Sequence, residues 1–167
     1  MRRWLLVAVL VLTASGLQAQ TKPLNETDPI NNGMGIYGGT FTLGWEFQCN
    51  AANVQVTQLG VCCPNAGSAT ASLWDTTATS TPIATAALNV ASRTWTWGAI
   101  TPVTLVNGRR YRIAVTASGY YFGHSPPAVW RPTGTIQYTS LCEQYGTTVQ
   151  YPGTVNSTVN NAGCADI

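Results

Sequence analysis

A catalytic set in this 167-residue sequence would have to be built mainly from Glu46, Asp75, Glu143, His124 and five cysteines. Glycoside hydrolysis needs two carboxyl groups facing each other across a bond. Glu46 falls on the outward side of a strand, between two aromatics. Asp75 closes a strand, where a carboxylate holds a turn. Glu143 adjoins a cysteine expected in a disulfide. A serine triad needs a histidine base. His124 is the one histidine, in a loop rich in aromatics and proline, and no Gly-x-Ser-x-Gly elbow accompanies it. No histidine lies near a cysteine, which argues against zinc. The expectation is a non-catalytic protein with no cofactor and no metal.

The aromatic residues suggest a different chemistry. Trp95, Trp97, Tyr120, Tyr121, Phe122 and Trp130 could stack on sugar rings, with His124 and Arg131 as polar partners for Trp130 and Tyr120. A sandwich takes some tryptophans into its core, and Trp95 and Trp97 share one side of their strand, so both face in or both face out.

Cys49, Cys62, Cys63, Cys142 and Cys164 suit an exported protein, where disulfides persist. An odd count leaves one thiol over, and spacing does not choose the pairs. Cys142 with Cys164 would staple the C-terminal tail; Cys49 with one of the vicinal pair is the second choice. The remaining thiol either joins two subunits or stays buried.

Export is read from the first residues. Met1-Arg2-Arg3, an apolar run from Trp4 to Leu12 and small residues up to Ala19 form a secretory signal. The run is shorter than the ~20 residues of a membrane-spanning helix. Cleavage is expected after Ala19, so the protein is expected to be secreted, extracellular or at the cell surface, with no transmembrane segment. Without Arg2 and Arg3 the eight basic residues fall to six, against six acidic ones. A near-neutral chain with few charges gives no electrostatic case for nucleic acid and little repulsion between copies.

The elements that must position these residues are strands. Phe41, Leu43, Trp45 and Phe47 alternate along 36–49, Val54 and Val56 begin 54–61, and Ala71 and Leu73 oppose Trp74 in 69–75. Weaker segments are 83–90, 94–97 and 100–105; stronger ones are 111–117 and 135–141. Gly60 interrupts its strand and suggests a bulge or a close backbone approach. The organising stretch is Trp95 to Val115. Asn107-Gly108 first suggests a tight hairpin, but that register puts Arg110 opposite Leu105 on the core face. A crossing from one sheet to the other keeps Leu105 and Tyr111 both inside, with the Tyr111 hydroxyl bonding backbone upstream. The expected fold is all-β: an antiparallel two-sheet sandwich, jelly-roll-like, with an extended N-terminal leader. The divisions are 1–19 signal, 20–35 leader and 36–167 sandwich with a disulfide-stapled tail.

Gly44-Trp45-Glu46-Phe47, Leu59-Gly60-Val61, Leu73-Trp74-Asp75 and Thr101-Pro102-Val103-Thr104-Leu105 with Gly108 and Tyr111 follow one another in order. Over about residues 38–123 this pattern resembles the secreted bacterial domain of unknown function 4082. The resemblance implies a jelly-roll-like β-sandwich, usually an accessory module of large secreted proteins, and it carries no catalytic residues. The five cysteines and the cysteine-bearing C-terminal extension depart from the pattern.

With no catalytic set, self-assembly is the leading expectation: a structural subunit of an extracellular filament or surface layer. The leader, with Pro23, Leu24, Pro29 and Ile30, would add a strand to the next copy, and head-to-tail contacts give open filaments. The partners are then copies of the chain itself, and also glycans. Asn25 and Asn156 stand in N-glycosylation sequons, and the surface is threonine-rich. The alternative is a monomeric carbohydrate-binding module.

Overall fold

In a computed structural model of the chain, the described residues are 34–123, 134–146, 148–156, 161–162 and 165–167. The signal, most of the leader including Asn25, the loop carrying His124 and Trp130, and Cys164 lie outside them. The described residues contain no helix. The strands are β1 (Met34–Cys49), β2 (Gln55–Val61), β3 (Gly67–Asp75), β4 (Ala84–Val90), β5 (Thr96–Thr104), β6 (Arg110–Gly123), β7 (Ile136–Tyr145), β8 (Thr154–Asn156), β9 (Asn161–Ala162) and β10 (Ala165–Asp166).

They form two antiparallel sheets. The larger has the order β4-β3-β6-β1-β7-β8, with β9 on the far end of β6; the smaller has the order β10-β2-β5. The chain winds between them as a sandwich: β2 and β5 leave the large sheet for the small one, and β3 and β6 return. The core fills the space between the sheets. Trp45 and Phe47 from β1, Leu73 from β3 and Ile113 from β6 meet Leu59 and Val61 from β2, all essentially inaccessible to solvent. Burying each such side chain contributes about 1.5–3 kcal/mol. Phe47 stacks on Tyr111 with ring centres 5.9 Å apart.

The Asn107-Gly108 turn is not a two-residue hairpin. β5 belongs to the small sheet and β6 to the large one, so residues 105–109 carry the chain across the sandwich. Leu105 and Tyr111 are both buried. The Tyr111 hydroxyl accepts from Val106 N–H at 2.9 Å, and Leu105 N–H bonds Val54 O at 2.8 Å. Gly108 sits at φ 80°, a left-handed value that glycine adopts without strain. Its N–H reaches Cys49 O at 2.6 Å and ties the crossing to the end of β1.

Two expectations about this part of the chain change in detail. The segments 94–97 and 100–105 are one strand, β5, and the irregularity lies opposite, as a register shift between Val56 and Gln58 of β2. That shift turns Val56, Leu59 and Val61 all toward the core. Gly60 answers a close approach: a Cβ there would lie 2.7 Å from the Trp97 ring. The tail after Tyr145, which has no strand-forming pattern, supplies β8, β9 and β10. Each is two or three residues long and is held by pairing to a stronger partner.

Candidate functional site

The outward face of the large sheet is not a solvated surface. Glu46 and Arg112 oppose each other across β1 and β6, and both point away from the core, yet only 4% and 7% of each is exposed. Residues 151 and 152 of the tail cover them. Arg112 Nε and Nη2 both reach Glu46 Oε2 at 2.8 Å. Arg112 Nη1 donates to the carbonyl of Pro152, and its guanidinium lies 4.7 Å from the centre of the Tyr151 ring. The second Glu46 oxygen accepts from Thr139 Oγ1 at 3.1 Å and from Arg110 Nη1 at 3.3 Å. A register shift in β7 puts two residues, Thr139 and Ser140, against one on β1, and the extra residue brings the Thr139 hydroxyl to Glu46. Trp74 completes the layer. Its ring meets Tyr151 edge-on at 5.6 Å, and its Nε1 donates to Ser72 Oγ at 2.9 Å.

This layer is a closed polar core. The Glu46 carboxylate spends both oxygens on cations and a hydroxyl, and the tail excludes solvent. A buried ion pair with its hydrogen bonds satisfied specifies geometry more than it adds stability. Its role here is to strap the tail to the sheet. Cys142 lies beside it, and burial pushes that thiol far up, against the opposing pull of Arg112.

The other carboxylate candidates are on separate elements. Asp75 ends β3 and caps the following turn, accepting from Thr77 N–H at 2.8 Å, Thr77 Oγ1 at 2.7 Å and Arg109 Nη1 at 2.8 Å. Burial works to raise its pKa, but these donors outweigh it and hold the carboxyl below its ordinary value. Glu143 is on β7, half-buried. His124 lies outside the described residues. Among those described, no three His, Cys, Asp or Glu side chains come together as metal ligands, and no helix is long and apolar enough to cross a membrane.

Trp95 and Trp97 stack on each other, ring centres 5.7 Å apart and planes 23° from parallel. Both are half-buried, and Trp97 lies over Gly60. The other stacking candidates cannot be joined to them: Trp130 is outside the described residues, and Tyr120 is placed only by its backbone, opposite Ile36 in β6. Asn156 is likewise placed by its backbone alone, at the end of β8 opposite Leu141.

The cysteine expectations need correction. Cys49, Cys62, Cys63 and Cys142 are all buried thiols, and none of them is bonded to another. Cys49 therefore does not pair with Cys62 or Cys63; its thiol donates to Ala51 O at 3.3 Å. The Cys63 thiol points into the core, and burial, with Cys62 beside it, pushes it up to about 12. No exposed thiol is available among these four to join two subunits, because each is at most 3% exposed.

The sheet edges differ. β8 and β10 are short, with three and two residues. β5 is long but carries Pro102, and proline on an edge blocks further pairing. β4 is seven residues, ATAALNV, with no proline and no charge. It pairs with β3 on one side, and among the described residues nothing pairs with the other. Ala86 and Val90 anchor it in the core, while Thr85, Ala87 and Asn89 are exposed.

No family model matches this chain, and no curated protein or solved structure matches it either.

Proposed function

We propose that this protein is a non-catalytic extracellular structural subunit that polymerises head-to-tail, its N-terminal leader adding a strand to β4 of the next copy. The observation that carries the reading is the β4 edge. Natural sheets blunt their edges with proline, lysine, bulges or shortness; β5, β8 and β10 use two of these devices, and β4 uses none. An antiparallel edge strand turns the N–H and C=O of every second residue outward, so β4 offers a ladder about 23 Å long.

The leader suits the acceptor in length. Residues 20–33 reach about 50 Å when extended, enough to span β4 and cross between two copies. Pro23 and Pro29 are six apart, so both fall on one side of an extended strand, where their missing N–H groups can face away from the ladder. Leu24 and Ile30 share the opposite parity. The scarcity of charge lowers the cost of bringing copies together.

The test is electron microscopy of the exported protein beside two variants, deletion of 20–33 and Ala87→Lys. Ala87 is exposed, so a lysine there leaves the fold intact while placing a charge on the edge. Filaments from the wild type, and dispersed folded particles from both variants, are expected. Dispersed wild-type particles at high concentration would defeat the reading, and filaments from Ala87→Lys would remove β4 as the acceptor.

The Trp95–Trp97 stack favours a second reading, a glycan-binding module using that pair as its apolar platform. Trp95→Ala would then weaken binding on a glycan array without loss of the β-sheet signal.

A further inference from the structure

We infer that Cys62 forms a disulfide with Cys164, tying the C-terminal strand β10 to β2. The register of those two strands carries the inference. Ala165 stands opposite Val61 and Asp166 opposite Gly60. Antiparallel partners keep a constant sum of residue numbers, so the next pair in that register is residue 62 with residue 164. Covalent geometry keeps the Cα of residue 164 about 3.8 Å from that of Ala165. Directly opposed residues in an antiparallel pair have Cα atoms about 4.5 or 5.5 Å apart. Both separations fall within the range of about 4.4–6.8 Å that a disulfide spans.

Alternation selects Cys62 over its neighbour. Val61, Cys63 and Ala165 all belong to the core between the sheets, and Cys62, although buried, does not. Residue 164 follows the same alternation from Ala165, so it shares the outer side with Cys62. The thiolate is the attacking species, and Cys63 is held protonated in the core. Cys142 is the poorer partner by position. It lies in the polar layer on the outward face of the large sheet, whereas β10 belongs to the small sheet, with the apolar core between them.

The bond forms by thiol–disulfide exchange with a small-molecule disulfide such as oxidised glutathione. One cysteine thiolate attacks it and expels one glutathione thiol. The second attacks the mixed disulfide and expels the other. Two protein thiols are oxidised and one glutathione disulfide is reduced to two thiols. Cys62 is only 3% exposed, so the exchange takes place before β10 docks. The three thiols left over, Cys49, Cys63 and Cys142, are all buried, so assembly by strand addition needs no bond between subunits and survives reductant.

The test is to reduce and unfold the exported chain, refold it in a glutathione redox buffer, count thiols under denaturing conditions and map linked peptides. Wild type should fall from five thiols to three. Cys63→Ala should fall from four to two, and Cys62→Ala should keep all four. The linked pair should contain residues 62 and 164, and fragmentation between Cys62 and Cys63 assigns the bond in the wild type even if a variant fails to fold. A bond from Cys164 to Cys142 or Cys63, or natively folded wild type with five thiols, overturns the inference.

Discussion

The two faces of the large sheet are both buried, but by different physics. The inner face packs Trp45, Phe47, Leu73 and Ile113 against the small sheet, and its stability is non-directional and scales with apolar area. The outer face buries Glu46, Arg112, Ser72 and Trp74 under Tyr151 and Pro152, and every contact there has a donor, an acceptor and an angle. β6 alternates between the two faces: Tyr111 points in and Arg112 points out. Loss of volume should damage the inner face in proportion to the atoms removed. The outer face should fail when one partner is lost and tolerate the loss of both.

The largest expected effect is on the inner face. Trp45→Ala leaves a large void and should cost about 3–5 kcal/mol, read as a lower denaturation midpoint in urea. Arg112→Met should be nearly as severe, about 3–5 kcal/mol, because it leaves Glu46 buried without its main partner. The double variant Glu46→Leu, Arg112→Met should recover most of that loss. A double variant as unstable as the sum of the singles would show that the outer face behaves like the inner one. Tyr111→Phe is a polar cut on the apolar side. It removes only the acceptor for Val106 N–H, so about 1–3 kcal/mol is expected, with the core volume unchanged. The smallest effect is at Asp75. Its carboxyl is held below the unfolded value of about 3.9, so its contribution is present above about pH 4 and is lost as pH falls through the lower folded value. Asp75→Asn should flatten that part of an acid unfolding curve at a cost under about 1 kcal/mol at neutral pH, since Arg109 is partly exposed.

The same contrast explains what could be read from the chain beforehand. Period two along Leu43, Trp45 and Phe47 reports an apolar face directly, so the sandwich, its inward residues and the crossing at Tyr111 were legible. Glu46 also read correctly as outward. Its burial did not show, because that depends on Tyr151 and Pro152 arriving from 105 residues later in a segment with no periodic signal. β8, β9 and β10 are too short to have a pattern of their own and exist only through their partners. The cysteine pairing was hidden for the same reason: the register of a two-residue strand is not written in spacing. The β4 edge lay between these cases, since its composition was plain but its position at the end of a sheet was not.

The Trp95–Trp97 stack has an optical consequence. Two indoles 5.7 Å apart and 23° from parallel are close enough for their electronic transitions to couple, so the pair should contribute a couplet to the ultraviolet circular dichroism spectrum. Trp97 rests on Gly60 of β2, so the couplet reports whether β5 is still in register with β2. The protein thus carries an intrinsic chromophore for its small sheet, and a thermal melt followed at that band would time the small sheet's opening separately from that of the whole sandwich.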